Sequence, residues 1–345
     1  MKADVIGASG YGGAELIRLL INHPHFELNK MYSSSKDHVP ISEEYPHLYE
    51  ITDLELNKIN PDLIAEEADV VFLAVPSGAS ATLVPELLKN DVKVVDLSGD
   101  FRLKNPEDYK NWYKKTPADS SYLKQAVYGL TEWNREAIQS AHLLSNPGCY
   151  PTAALLGLAP VVRENWIDVR QIVIDAKSGV SGAGRGLSLN VHFSEMNDNF
   201  RIYKVNAHQH IPEIEQQLQL WNDASGPITF STHLLPITRG IMATIYAPLA
   251  KETTSEQVYE LYEETYKNET FIRVRPLGTF PSVKETAGSN FCDIGIDVDE
   301  RTNRLTIVSV IDNLMKGAAG QAVQNANLMF GFDETSGLKG FPFYP

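Results

Sequence analysis

Asp4-Val5-Ile6-Gly7-Ala8-Ser9-Gly10-Tyr11-Gly12-Gly13-Ala14-Glu15-Leu16-Ile17-Arg18-Leu19-Leu20 decides the fold. A short apolar run ends in clustered glycines, and apolar residues at helical spacing follow. Glycines at 7, 10 and 13 let a backbone turn tightly and approach a pyrophosphate, whose charge meets the N-terminus of the next helix. The spacing is G-x-x-G-x-x-G, not the commoner G-x-G-x-x-G. Its place between strand and helix favours a dinucleotide loop over a plain glycine-rich turn.

The residues that follow extend the pattern. Phe26 to Tyr32 reads as a second strand, Ala68 to Val75 as a strand covered on both faces, and Val92 to Leu97 as another, with a helix over Ala79 to Lys89. Strand and helix in alternation predict an α/β fold, a Rossmann-like doubly wound parallel sheet. Lys104 to Tyr122 shows no clear period and reads as an ordered loop. Near residue 150 the texture changes. Strands are expected over Gln171 to Lys177, Thr229 to Leu235, Ile241 to Leu249, Phe271 to Val274, Cys292 to Val298 and Leu305 to Ile311. Helices are expected after Pro151, after Pro212 and over Ser255 to Lys267. This predicts an α+β second domain with a mixed, largely antiparallel sheet and helices on one face. A last helix, Asn313 to Met329, should return to the first domain. The expected division is 1–148 with 313–345 for the nucleotide domain and 149–312 for the second.

Composition narrows the function. A chain of 345 residues suits two domains. With 30 Lys+Arg against 44 Asp+Glu the formal charge is −14, and there is no basic run, which argues against nucleic acid. Two cysteines, Cys149 and Cys292, are too few for a disulfide framework or a cysteine-based zinc site. No apolar run reaches the ~20 residues of a membrane span, and the first residues lack the apolar core of a signal peptide. A cytoplasmic protein is expected.

Beyond the second strand lies Met31-Tyr32-Ser33-Ser34-Ser35-Lys36. An acid there would serve the ribose of NAD. Three hydroxyls and a cation suit the 2′-phosphate of NADP instead. Ser145-Asn146-Pro147-Gly148-Cys149-Tyr150-Pro151-Thr152 places Cys149 just before a helix start, where the dipole favours the thiolate. Cys292 lies in a strand pattern and reads as core. A cysteine nucleophile needs a proton partner, and Ala207-His208-Gln209-His210-Ile211-Pro212-Glu213 supplies two histidines. Ile211 precedes proline and is biased to extended backbone. If 208–210 are extended too, both rings share a face. No third ligand accompanies the pair, so no metal is expected. Arg102, Arg185 and Arg239 each sit on Gly- or Ser-flanked loops and suggest recognition of an anion.

Together these residues closely resemble the N-acetyl-gamma-glutamyl-phosphate reductases, longer type, of the semialdehyde dehydrogenase superfamily. The resemblance runs over essentially the whole chain. Its most specific pieces are 145–152, the His-x-His-x-Pro-Glu-Ile run at 208–214, and Asn313-Leu314-Met315-Lys316-Gly317-Ala318-Ala319-Gly320-Gln321-Ala322-Val323-Gln324. It implies an enzyme of arginine biosynthesis that uses NADPH to convert N-acetyl-L-glutamyl 5-phosphate to the semialdehyde and phosphate through a cysteine thioester. It further implies Cys149 as nucleophile, His210 as acid/base in preference to His208, and a homo-oligomer, a tetramer or dimer, with the second domain as the substrate and oligomerisation domain that supplies the interface. Candidate substrate contacts are Arg102, Asn146, Arg185, His208 and Arg239. Candidate cofactor contacts are Gly7, Ser9, Gly10, Tyr11, Gly12, Gly13, Ser33, Ser34, Ser35, Lys36, Pro76, Ser178, Gly179 and Asn313. Gln209 departs from the Arg of many relatives. Rival readings are an aspartate-semialdehyde dehydrogenase, a lysine-branch homologue acting on a longer substrate, a nonenzymatic NADP sensor and a thiol hydrolase.

Overall fold

The structure is a computed structural model and describes residues 1–344. The chain divides into two compact units, Met1–Pro147 with Ala318–Lys339, and Gly148–Gly317 with a tail from Gly340. The block expected at 313–345 is therefore split. Residues 313–317 stay with the second unit because the Asn313 side chain bonds there to Ser181 and Gly240. The tail stays because the Phe343 amide donates to the Ala287 carbonyl at 2.7 Å.

In chain order the first unit runs β1 (Lys2–Ile6), α1 (Tyr11–Leu20), β2 (Glu27–Ser33), β3 (Val39–Pro40), α2 (Ile41–Glu44), β4 (Glu55–Lys58), α3 (Pro61–Glu67), β5 (Val70–Leu73), α4 (Ser80–Leu87), β6 (Lys93–Asp96), α5 (Pro106–Tyr113), α6 (Ser120–Gln125), β7 (Val127–Tyr128), α7 (Thr131–Gln139) and β8 (Leu143–Ser145). The sheet order is β3-β4-β2-β1-β5-β6-β8-β7. Every pairing is parallel except β3 with β4. All four residues of β5 are buried, as a central strand covered on both faces requires.

The ordered loop expected over 104–122 is instead α5 and the start of α6. Asn105 and Asp119 cap the two helices, accepting from the amides of Glu107 and Ser121 at 3.1 and 2.8 Å. Pro106 fits the first turn of α5. Each helix buries a single side chain, Tyr109 or Leu123, so neither shows an apolar period.

The second unit runs α8 (Cys149–Arg163), β9 (Val173–Gly179), α9 (Phe193–Met196), β10 (Arg201–Tyr203), α10 (Ile211–Trp221), β11 (Thr229–Leu235), β12 (Ile241–Pro248), α11 (Ser255–Tyr266), β13 (Ile272–Val274), β14 (Cys292–Asp299) and β15 (Arg304–Ile311). The sheet order is β10-β11-β9-β12-β15-β14-β13. Only β9–β11 and β13–β14 pair in parallel; the other four pairings are antiparallel. The helix α8 buries every residue from Tyr150 to Val162, as an all-apolar helix must. It packs on β12, β14 and β15, with α10 and α11 beside it. Burial alternates along β9, β11 and β12, as a sheet with one packed face demands. A π-helical turn, Met315–Ala319, leads into α12 (Gly320–Met329), which joins the first unit and packs on α1, α7 and β6.

Candidate active site

In the first unit, Gly7 has φ +88°, and a Cβ there would lie 2.3 Å from the Ala74 carbonyl oxygen. A Cβ on Gly13 would lie 2.4 Å from the Gly7 oxygen. These two glycines are demanded by close backbone packing. Gly10 and Gly12 meet nothing nearer than 3.5 Å, so they leave bare backbone rather than relieve a clash. Gly10 is the N-cap of α1, without a side-chain cap and without an acid in the first turn. A helix start of this kind suits a phosphate. The Ser9 carbonyl accepts the Tyr45 hydroxyl at 2.9 Å, Tyr11 is exposed, and exposed Pro76 follows β5 at its C-terminal end.

At the end of β2, Ser33 is buried and its hydroxyl accepts the Ser35 amide at 3.3 Å. Ser34 is exposed beside it. The Lys36 ammonium is paired with Glu44 at 2.6 Å, so α2 offsets part of its charge. Arg102 is buried, and its guanidinium donates to the Asn146 and Leu97 carbonyls at 2.9 and 2.8 Å. The Asn146 side chain donates to the Ala318 carbonyl and accepts from Asn325, both at 3.1 Å. Both residues thus direct these bonds into their own unit.

In the second unit, Cys149 is half-buried and opens α8, with Gly148 as N-cap. No acid lies in the first turn of α8; the positive end of its dipole favours an anion there. The Gly148 amide donates to the buried Glu213 carboxylate at 2.8 Å. Glu213 lies three residues after His210, the N-cap of α10.

Residues 208–210 form a turn rather than the extended run expected, and Ile211 opens α10 instead of lying extended before Pro212. The two imidazoles still meet, with ring centres 4.6 Å apart. The His210 amide donates to His208 Nδ1 at 3.1 Å, which leaves the proton of a neutral His208 on Nε2. Burial, then the charge of Lys204, push His208 down to about 3. The neutral ring packs edge-on against Tyr150, Tyr203 and Phe230. Tyr150 and Tyr203 share a hydroxyl contact at 3.1 Å. Burial raises both phenols, Tyr203 to about 12, so each stays protonated.

Arg239 also departs from expectation. Its guanidinium forks onto the buried Asp312 carboxylate at 2.9 and 3.2 Å, so the unshielded cation read from its glycine neighbour is an ion pair. Arg185 is exposed on its loop. Buried Asn313 accepts the Gly240 amide at 2.8 Å and donates to Ser181 at 2.9 Å. Ser178 and Gly179 end β9, where a Cβ on Gly179 would meet the Thr238 carbonyl at 2.7 Å. Cys292 is buried beside Ser309. Glu213, Tyr203 and Asp312 were not singled out from sequence, although Glu213 stands inside the histidine run. Among the described residues no group of His, Cys, Asp or Glu is arranged to hold a metal ion, and no helix is long and apolar enough to cross a membrane.

Residues 2–141 match the family described as semialdehyde dehydrogenase, NAD binding domain, and residues 149–313 match semialdehyde dehydrogenase, dimerisation domain. The chain is 60% identical to the N-acetyl-gamma-glutamyl-phosphate reductase of Geobacillus sp. (strain WCH70), over all of both chains. It is 55% identical, again over all of both chains, to the enzyme of that name from Bacillus subtilis (strain 168). Among solved structures, aspartate semialdehyde dehydrogenase II from Vibrio cholerae aligns with TM-score 0.73 at 17% identity, covering 96% of this chain and 98% of that one. The Candida albicans aspartate semialdehyde dehydrogenase with NADP aligns with TM-score 0.68 at 16% identity, covering 95% and 98%. These structural likenesses concern the fold.

Proposed function

The chain belongs to the semialdehyde dehydrogenase family, among its N-acetyl-gamma-glutamyl-phosphate reductases, and on that premise we propose that Cys149 and His210 carry out the reductive dephosphorylation of N-acetyl-L-glutamyl 5-phosphate. The observation that carries this reading is the joining of two helix starts. Cys149 opens α8, His210 caps α10, and Glu213 of α10 holds the amide before Cys149.

The Cys149 thiolate attacks the acyl carbonyl, the carbon–sulfur bond forms, and phosphate leaves with the carbon–oxygen bonding pair. Phosphate is a good leaving group, so placement of the acyl carbon matters more than strong acid catalysis. Bound NADPH would supply the hydride that reduces the thioester carbon. His210 protonates the oxygen that develops there and takes that proton back as the carbon–sulfur bond breaks, releasing semialdehyde and thiolate. His208, neutral through the working range, orients His210 through its backbone amide.

The α1 N-terminus with Gly10 and Gly12 would take the pyrophosphate. We assign the 2′-phosphate to Ser33, Ser34 and Ser35 with Lys36, the last only in part because Glu44 shares its charge. NADP is therefore preferred to NAD. Arg185, exposed on its loop, is assigned as an anion contact for the substrate. The second unit would build a homodimer or homotetramer, in the cytoplasm.

The test runs the reaction backwards, with N-acetylglutamate semialdehyde, NADP and phosphate, following reduced cofactor. Turnover should require phosphate, fail with aspartate semialdehyde and favour NADP over NAD at least about tenfold, equivalent to ~1.4 kcal/mol. Cys149→Ser should bind NADPH normally and lose turnover by several orders of magnitude. Near-normal turnover in that variant would sink the covalent scheme.

A further inference from the structure

The run 313–324 carries a feature that the scheme above does not use. Gly317 lies in the π-helical turn, and its amide donates to the Asp312 carbonyl, five residues back, at 3.0 Å. π-Helical turns inside helices occur often at functional sites. A Cβ on Gly317 would lie 2.9 Å from the Cys149 Cβ and 3.3 Å from its Cα. Side-chain carbons do not approach so closely. The φ of Gly317 is outside the left-handed region, so glycine is needed here for space and not for backbone freedom.

The turn is anchored independently of Cys149. The Asp312 carboxylate is fully buried and accepts the Leu314 and Met315 amides at 2.8 and 3.1 Å. It also accepts the Gly288 amide at 2.6 Å and the forked Arg239 guanidinium. Five donors on one carboxylate leave the turn little freedom, so a crowding group at 317 would push back Cys149, backbone and thiol together, rather than the turn.

We propose that Gly317 is a positioning residue for Cys149: its bare Cα is the wall against which the nucleophile rests, and the Asp312–Arg239 pair holds that wall in place. The proposal rests on the reading of Cys149 as nucleophile.

The experiment uses the full-length enzyme and the variant Gly317→Ala. Steady-state turnover should fall about 100-fold, the cost of roughly 1 Å of misplacement, while the KM for NADP and NADPH binding stay within about twofold. The rate of Cys149 alkylation by iodoacetamide should change, and the change should persist across its pH profile. Melting temperatures supply a readout that does not depend on activity. Gly317→Ala should lower the melting temperature beside Cys149 and much less in a Cys149→Gly background, because the clash is with the Cys149 Cβ. Equal lowering in both backgrounds, or unchanged kcat and alkylation, overturns the positioning role. If Gly317→Ala does not fold, the Cys149→Gly pair still decides, and Asp312→Asn should reproduce the kcat loss. A Cys149→Ser enzyme that still turns over overturns the nucleophile reading instead. An inert Cys149→Ser beside a Gly317→Ala enzyme of normal kcat overturns only the present proposal.

Discussion

Two histidines two residues apart are treated unequally by their surroundings. His208 accepts a backbone amide on one nitrogen and is pressed among aromatic rings. Burial pushes it down to about 3, against an unfolded value near 6.5. Below about pH 6.5 the unfolded chain takes up a proton that the folded ring refuses, so this group makes stability fall as pH drops toward about 3. His208→Gln should flatten that part of the pH dependence, with a difference of up to a few kcal/mol near pH 4, measured by urea melts between pH 4 and pH 8. Identical slopes in both proteins would show that the ring protonates freely when folded. The helix start at Cys149 and the meeting of the two histidine rings were legible because their signals are local, a Pro-Gly turn and a paired histidine run. Arg239 was not. Its partner Asp312 lies 73 residues away, and a glycine neighbour says nothing about a distant carboxylate.

Strands buried on both faces write themselves into sequence as continuous apolar runs, which is why β5 and β6 were readable. The short strands β4 and β7, four and two residues long, carry no such run. The helices α5 and α6 failed to show for a different reason. Their formation rests on capping and on one buried anchor each, and capping residues look like loop residues until their amide partners are known. Asn105→Ala tests that account. It should cost ~1 kcal/mol, read as a lower denaturation midpoint with unchanged m-value. A neutral outcome would mean that burial of Tyr109 alone suffices to hold α5.

The whole chain carries a formal charge of −14, and its proposed ligands are anionic. Binding must come from local features, chiefly the bare start of α1, against a repelling field. At about 0.01 M salt that field reaches about 30 Å, and at about 0.1 M about 10 Å. NADPH should therefore bind more tightly as salt rises over this range, followed by cofactor fluorescence. Affinity that only weakens with salt would place local cation contacts above the global field. Legibility at this scale was high for architecture, since the change from alternating strand–helix to strand-rich texture marks the boundary near 148. It was low for the C-terminal block, where Asn313 and the tail after Gly340 answer to hydrogen bonds that no pattern announces.

The place of α12 has a consequence for synthesis. A ribosome delivers β1 to β8 early, yet every residue of the helix that completes their unit is buried and emerges about half the chain later. During elongation the N-terminal sheet waits with an apolar flank uncovered, while the intervening unit is made as one nearly continuous stretch. Released fragments ending at Gly317, which hold nearly all of the second unit but lack α12, should thus display the reverse of the usual order for domains: a protease-resistant middle and a susceptible beginning.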